Sequence, residues 1–161
     1  MSGKRHLQTL SIRGEPGVGS TNGPALAHET IDRVVRAFYA RAREHPDLAA
    51  TFARVEDWDE HIARISHFWW VSLGGRRYRP DRFQVGPRHV ALGVTGRQVD
   101  AWLDLFEETL SEQVEDDQAR QDWLDRAHRM GRVIRGLGAF YERRDARTDD
   151  PHRGQRPSAR D

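Results

Sequence analysis

Four residues carry side chains able to do chemistry where such side chains are costly to keep: Tyr39, His61, His89 and Trp102. Each stands among apolar neighbours, and a buried polar group without a partner costs on the order of 1–3 kcal/mol. His61 follows Trp58 by three residues and precedes Ile65 by four, a spacing that turns its imidazole toward a core. Tyr39 lies at the edge of one apolar stripe and Trp102 lies within another. His89 is flanked by Val90, Ala91 and Leu92 in an otherwise irregular stretch. Taken singly, each has an ordinary structural account: a histidine bonded to a backbone carbonyl, an amphipathic tyrosine with a wet hydroxyl, a core tryptophan, a loop histidine.

Taken together, they describe a cavity lined by aromatics from three helices and approached by one histidine from a short separate segment. An axially ligated haem requires this arrangement, since one neutral imidazole can bond the iron and leave the sixth position open. The second ring nitrogen then donates to an outer acceptor. A tyrosine hydroxyl and an indole N–H on the other side would donate to a polarised ligand in a dry pocket, where such bonds are strong.

The elements that must position these residues are helices. Ile31, Val34, Val35, Phe38, Tyr39 and Ala42 recur at three- and four-residue steps and form one face. Pro46 ends that helix, and a short turn can restart at Asp47. A second helix carries Trp58, His61, Ile62, Ile65, Phe68 and Trp69 inward and ends at Gly74 and Gly75. His67 is on the same helix as His61, but about 240° away around the axis, so it points elsewhere and reads as structural or exposed. Thr95 is an N-cap for a third long helix with Val99, Trp102, Leu103, Phe106 and Leu110 in its stripe. A fourth spans about Asp117 to Tyr141, with Leu124, Ala127, Gly131, Ile134 and Leu137 inward. Between the second and third lies RRYRPDRFQVGPRHVALGVT, with room for only a turn or two of helix around Arg88 to Leu92. An irregular arm of that length inside a small domain is usually functional.

Length and charge bound the rest. The 161 residues suit one domain, and a formal charge of +1 argues against a broad nucleic-acid or anionic-membrane footprint. Cysteine is absent, which excludes disulfides, thiolate metal sites and a catalytic thiol. No apolar run approaches the roughly 20 residues of a membrane span, and a cytoplasmic protein is the expectation. Lys4 is the only lysine, a bias that fits nucleotide composition of the genome. Residues 1–27, with five glycines and two prolines, read as a flexible N-terminal arm, and 143–161 as a disordered C-terminal tail. The folded domain is expected over 28–142.

The pieces RVVRAFYARAREHPDLAATF, WDEHIARISHFWW, a histidine in GPRHVAL, and VDAWLDLFEETL occur in this order. The chain thereby resembles the truncated haemoglobin family, group three, over about residues 28–142. The resemblance implies an all-α, two-over-two helical sandwich around haem b. Carried over residue by residue, His89 matches the proximal iron ligand, Tyr39 the distal tyrosine, Trp102 the distal tryptophan and His61 a distal histidine that gates access. Phe38, Ile65 and Phe106 join them as candidate haem contacts. Arg76, Arg77, Tyr78, Arg79, Arg82 and Arg88, in a loop richer in arginine and glycine than the family pattern, are the candidates for holding the propionates.

The expected ligands are the diatomic gases O2, NO and CO, with a reductase as candidate partner. Oxygen, nitric oxide or peroxide chemistry, peroxidase-like or nitric oxide dioxygenase in type, is favoured over reversible oxygen carriage or sensing because two donors would hold oxygen tightly. A cofactor-free helical interaction module is the alternative from another class. A non-haem di-iron bundle needs paired Glu-x-x-His motifs, which only Asp125-x-x-His128 approaches.

Overall fold

In the computed structural model, residues 24–148 are described, with side chains through residue 144. Most of the N-terminal arm expected over 1–27, and the expected tail beyond 148, lie outside the described residues. The described residues form six helices: α1 His28–Ala42, α2 Ala49–Phe52, α3 Trp58–Ser72, α4 Val85–Ala91, α5 Gly96–Gln113 and α6 Asp117–Thr148. No strand occurs among them. None of these helices is long and apolar enough to cross a membrane.

Helix α1 packs on both α3 and α5, while α6 packs on α5 and α4. The two long pairs, α1 with α3 and α5 with α6, make the two-over-two sandwich. The inward stripe of α1 is buried along its whole length, from Ile31 to Ala42. Where the pairs meet, five aromatic rings interlock. Phe106 stacks on Trp69 and Trp102 at 5.4 and 4.8 Å and meets Phe38 and Trp123 edge-on at 5.4 and 5.7 Å. Ring pairs of this geometry add to the area they bury. Trp123 of α6 is the largest fully buried side chain. Its indole N–H has no hydrogen-bond partner, a cost that the surrounding aromatic packing offsets.

Local signals set the helix ends. The Thr95 hydroxyl accepts from the Gln98 backbone N–H, while the Gln98 side chain accepts from that of Thr95, closing a capping box. The Gln98 amide also donates to the Asp47 carbonyl and the Thr51 hydroxyl at 3.2 and 3.0 Å, which ties the start of α5 to the α2 turn. Helices α3 and α4 both close in Schellman turns. Gly75 and Gly74 donate to the carbonyls of Trp70 and Val71, and Val94 and Gly93 to those of His89 and Val90. Gly74 and Gly93 supply the positive φ these turns need, at 98° and 66°. At the other end of α4, Gly86 is buried against α6, where a Cβ would collide with the end of Leu137.

One feature differs from the sequence reading, and one that it left open is decided. Helix α6 continues to Thr148 rather than ending near Tyr141, because Arg143, Arg144 and Ala146 are good helix formers and no breaker precedes Pro151. His67 is fully buried, on a side of α3 that the irregular arm covers.

Replacing Thr95 with alanine is expected to lower the unfolding free energy by about 1 kcal/mol. Chemical denaturation measures it, and Thr95→Ser is expected to retain stability.

Candidate functional site

Between the helices lies a cavity of about 550 Å³, within the range of small-molecule sites. Its wall brings together Tyr39 of α1, His61 and Ile65 of α3, His89 of α4 and Trp102 of α5. Phe38 and Phe106 do not line it. They stand one layer behind, edge-on to Tyr39 at 4.9 Å in the case of Phe38, and stacked on Trp102 in the case of Phe106. The remaining wall is largely apolar and includes Phe52, Phe68, Trp69, Phe83, Val85 and Met130. The motifs quoted from the sequence contain Phe52, Phe68 and Trp69, but nothing in the pattern around Phe83 or Met130 marks them as wall residues.

His89 is held by its own helix. Its Nδ1 lies 2.5 Å from the Val85 carbonyl oxygen. A carbonyl can only accept, so Nδ1 carries a proton, and in the neutral imidazole Nε2 is the nitrogen with the lone pair. The helical spacing of four residues makes the bond possible, since Val85 O and the His89 side chain share one face.

His61 has the opposite tautomer. Arg64, one turn along α3, approaches His61 Nδ1 with its guanidinium at 3.4 Å and can only donate, so the ring proton sits on Nε2. That Nε2–H is buried and has no partner. Burial, and secondarily the Arg64 charge, push the His61 pKa down to about 4, so the ring is neutral at pH 7.

Tyr39 is only 6% exposed. Its ring is boxed edge-on by Phe38, Phe52 and His61 at 4.9, 5.2 and 5.2 Å. Burial raises its pKa well above the ordinary phenol value, with a hydrogen bond from Trp102 as the main opposing influence. The hydroxyl therefore stays protonated. A protonated phenol can donate from its hydroxyl.

The cationic residues divide. Arg82 and Arg88 reach the cavity, and Arg54 and Arg64 join them from α3 and the segment before it. Arg76, Arg77, Tyr78 and Arg79 do not line it. Arg79 is committed to Asp81 and Glu60 at 2.6 and 2.5 Å, and Arg77 lies over the Phe83 ring at 4.7 Å. Arg54 and Arg64 carry no signal in the sequence, because their place on the rim follows from how α3 lies against the arm.

The site thus offers a histidine nitrogen able to bind a metal, neutral donors, apolar walls and a charged rim in which Arg54, Arg64, Arg82 and Arg88 stand with Glu56, Asp57 and Glu60. Among the described residues, no three metal-ligating side chains cluster, so a metal held by His89 must bring most of its own ligands.

A family model described as bacterial-like globin matches residues 26–135. The group 3 truncated hemoglobin ctb of Campylobacter jejuni is 31% identical over 93 residues, which cover 53% of this chain and 71% of that protein. Among solved structures, the group III truncated hemoglobin from Campylobacter jejuni superposes with a TM-score of 0.63 at 27% identity, covering 72% of this chain and 94% of that one. The hemoglobin of the thermophilic phototrophic bacterium Chloroflexus aurantiacus gives 0.61 at 24% identity over 68% and 91% of the two chains, a likeness of fold.

Histidine NMR is expected to show the His61 ring neutral from pH 7 down to near its pKa of about 4. Arg64→Gln should raise that value by removing a neighbouring positive charge. The folded value lies below the unfolded one of about 6.5. The stability contributed by the neutral ring is therefore complete above that pH and is lost as pH falls toward the folded pKa.

Proposed function

This chain belongs to the bacterial-like globin family, among the group 3 truncated haemoglobins, and we propose that it holds haem b through His89 and binds diatomic gases beside Tyr39, His61 and Trp102. The observation that carries this reading is a pairing within one cavity: a His89 ring whose Nδ1 is engaged by the Val85 carbonyl, and a buried His61 N–H without a partner. An orphaned buried donor costs free energy, and a polar ligand in the cavity would recover that cost.

The residues fit haem. Its apolar faces suit walls built from Ile65, Phe68, Phe83, Val85 and Met130, and its propionates suit the rim arginines Arg54, Arg64, Arg82 and Arg88. When bound, haem would supply an iron able to bind O2, NO or CO. Everything else is the work of the chain. Val85 holds the His89 tautomer, which keeps Nε2 available as a ligand. The aromatic walls exclude water, which strengthens each hydrogen bond made inside. Tyr39, kept protonated by burial, donates from its hydroxyl, and the Trp102 indole lines the same cavity as a further N–H donor. His61 is neutral and adds a second donor without placing a positive charge in the cavity.

Several donors around one small ligand favour tight retention and polarisation of an O–O or N–O bond over rapid release. This supports chemistry on oxygen, nitric oxide or peroxide rather than bulk carriage.

The absorption spectrum of the purified protein, as isolated, reduced and exposed to carbon monoxide, is expected to show an intense Soret band that shifts with each treatment. In His89→Ala, haem is expected to be lost, or to be retained only with added imidazole; an unchanged spectrum and stoichiometry would overturn the assignment. Tyr39→Phe is expected to speed oxygen release roughly tenfold, the effect of losing one buried hydrogen-bond donor. Stopped-flow release at the parent rate would count against that role.

A further inference from the structure

The arm over residues 75–84 contains no helix or strand, so its backbone amides must find partners elsewhere. His67 supplies one. Its Nε2 lies 3.3 Å from the Tyr78 nitrogen and 3.4 Å from the Arg79 nitrogen. Both backbone N–H groups donate to it, which places the ring proton on Nδ1. That Nδ1–H is buried without a hydrogen-bond partner and stands 4.0 Å from the Asp81 carboxylate. The ring also packs on Tyr78 and Phe83, at centroid distances of 4.4 and 5.3 Å.

These contacts lead to the cavity. Phe83 packs on Phe68 at 5.2 Å, and both belong to the wall. Two residues beyond Phe83 is Val85, whose carbonyl holds His89. His67 itself does not line the cavity. We propose that His67 is a positioning residue, whose bare Nε2 clamps the arm at Tyr78 and Arg79 and so sets where Phe83 and the His89 turn stand. The clamp acts whatever fills the cavity; its consequence for an iron centre rests on the haem reading above.

The clamp works only while His67 is neutral, because a proton on Nε2 would set a third donor against the two amide donors. The charged or titratable groups around the ring are His28 from α1 and Arg77, Tyr78, Arg79 and Asp81 from the arm. Burial, then Arg77, hold the pKa of His67 below the ordinary imidazole value, and Asp81 opposes them. The clamp is therefore complete above the unfolded value of about 6.5 and is released as pH falls below it.

Amide hydrogen exchange on the full chain tests this, with two variants. His67→Phe fills the space but cannot accept; His67→Gln places an amide oxygen near the Nε2 position and does not titrate. In His67→Phe, protection at Tyr78 and Arg79 is expected to fall roughly tenfold, as loss of one hydrogen-bond acceptor predicts, with α5 unchanged. His67→Gln should keep the parent protection, and should not show the parent's loss of protection under acid. In the haem-loaded protein, resonance Raman should show the iron–histidine stretch displaced in His67→Phe and restored in His67→Gln. Parent-like protection in His67→Phe overturns the proposal, as does a loss spread equally over α5 and α6. If the two amides respond but the protein shows no Soret band, the haem reading fails and the clamp stands. If the Soret band is present and the amides do not respond, the clamp alone fails.

Discussion

The cavity of about 550 Å³ is backed by stiff, tightly packed rings at the junction of the two helix pairs. Interiors are close-packed, and flexible aliphatic side chains tend to relax into any space left open. Here the second layer consists of fused or planar rings. Phe106 is held between Trp69 and Trp102, and Phe38 and Trp123 close its edges. These rings come from α1, α3, α5 and α6, so the contact that joins the two helix pairs also backs the site. Shape and stability depend on the same few side chains.

The polar chemistry follows from that dry wall. Burial favours the neutral form of every group it covers, and the results for Tyr39 and His61 are complementary. A phenol held protonated can donate, and an imidazole held neutral presents one N–H and one lone pair. Neighbouring groups then choose which nitrogen has which role. Arg64, a donor, leaves His61 with its proton on Nε2, and Val85, an acceptor, leaves His89 with its lone pair there. Two histidines lining one cavity thereby differ in which ring nitrogen a neighbour engages.

The arm between α3 and α4 shows a different economy. Unable to satisfy its backbone through helix or sheet, it leans on α1 and α3. Trp70 donates to the Arg76 carbonyl at 2.9 Å, His28 meets the Tyr78 hydroxyl at 2.7 Å, and His67 accepts from two amides. The arm's arginines are largely occupied in holding it, which leaves Arg82 and Arg88, nearest α4, for the cavity.

By itself the sequence determined the long helices, most of their inward faces, the Thr95 cap, the Gly74–Gly75 stop and the candidate pair of His61 and His89. Each of these depends on neighbours within one or two turns, which periodicity reports directly. The tertiary structure alone decided depth. Phe38 and Tyr39 share one stripe, yet only Tyr39 reaches the cavity, because the crossing of α1 over α5 determines which residue stands in front. It also decided partners across distance. The orphaned His61 N–H, the Arg54 and Arg64 rim and the burial of His67 under the arm depend on where separate segments come to lie, and helical periodicity carries no record of that.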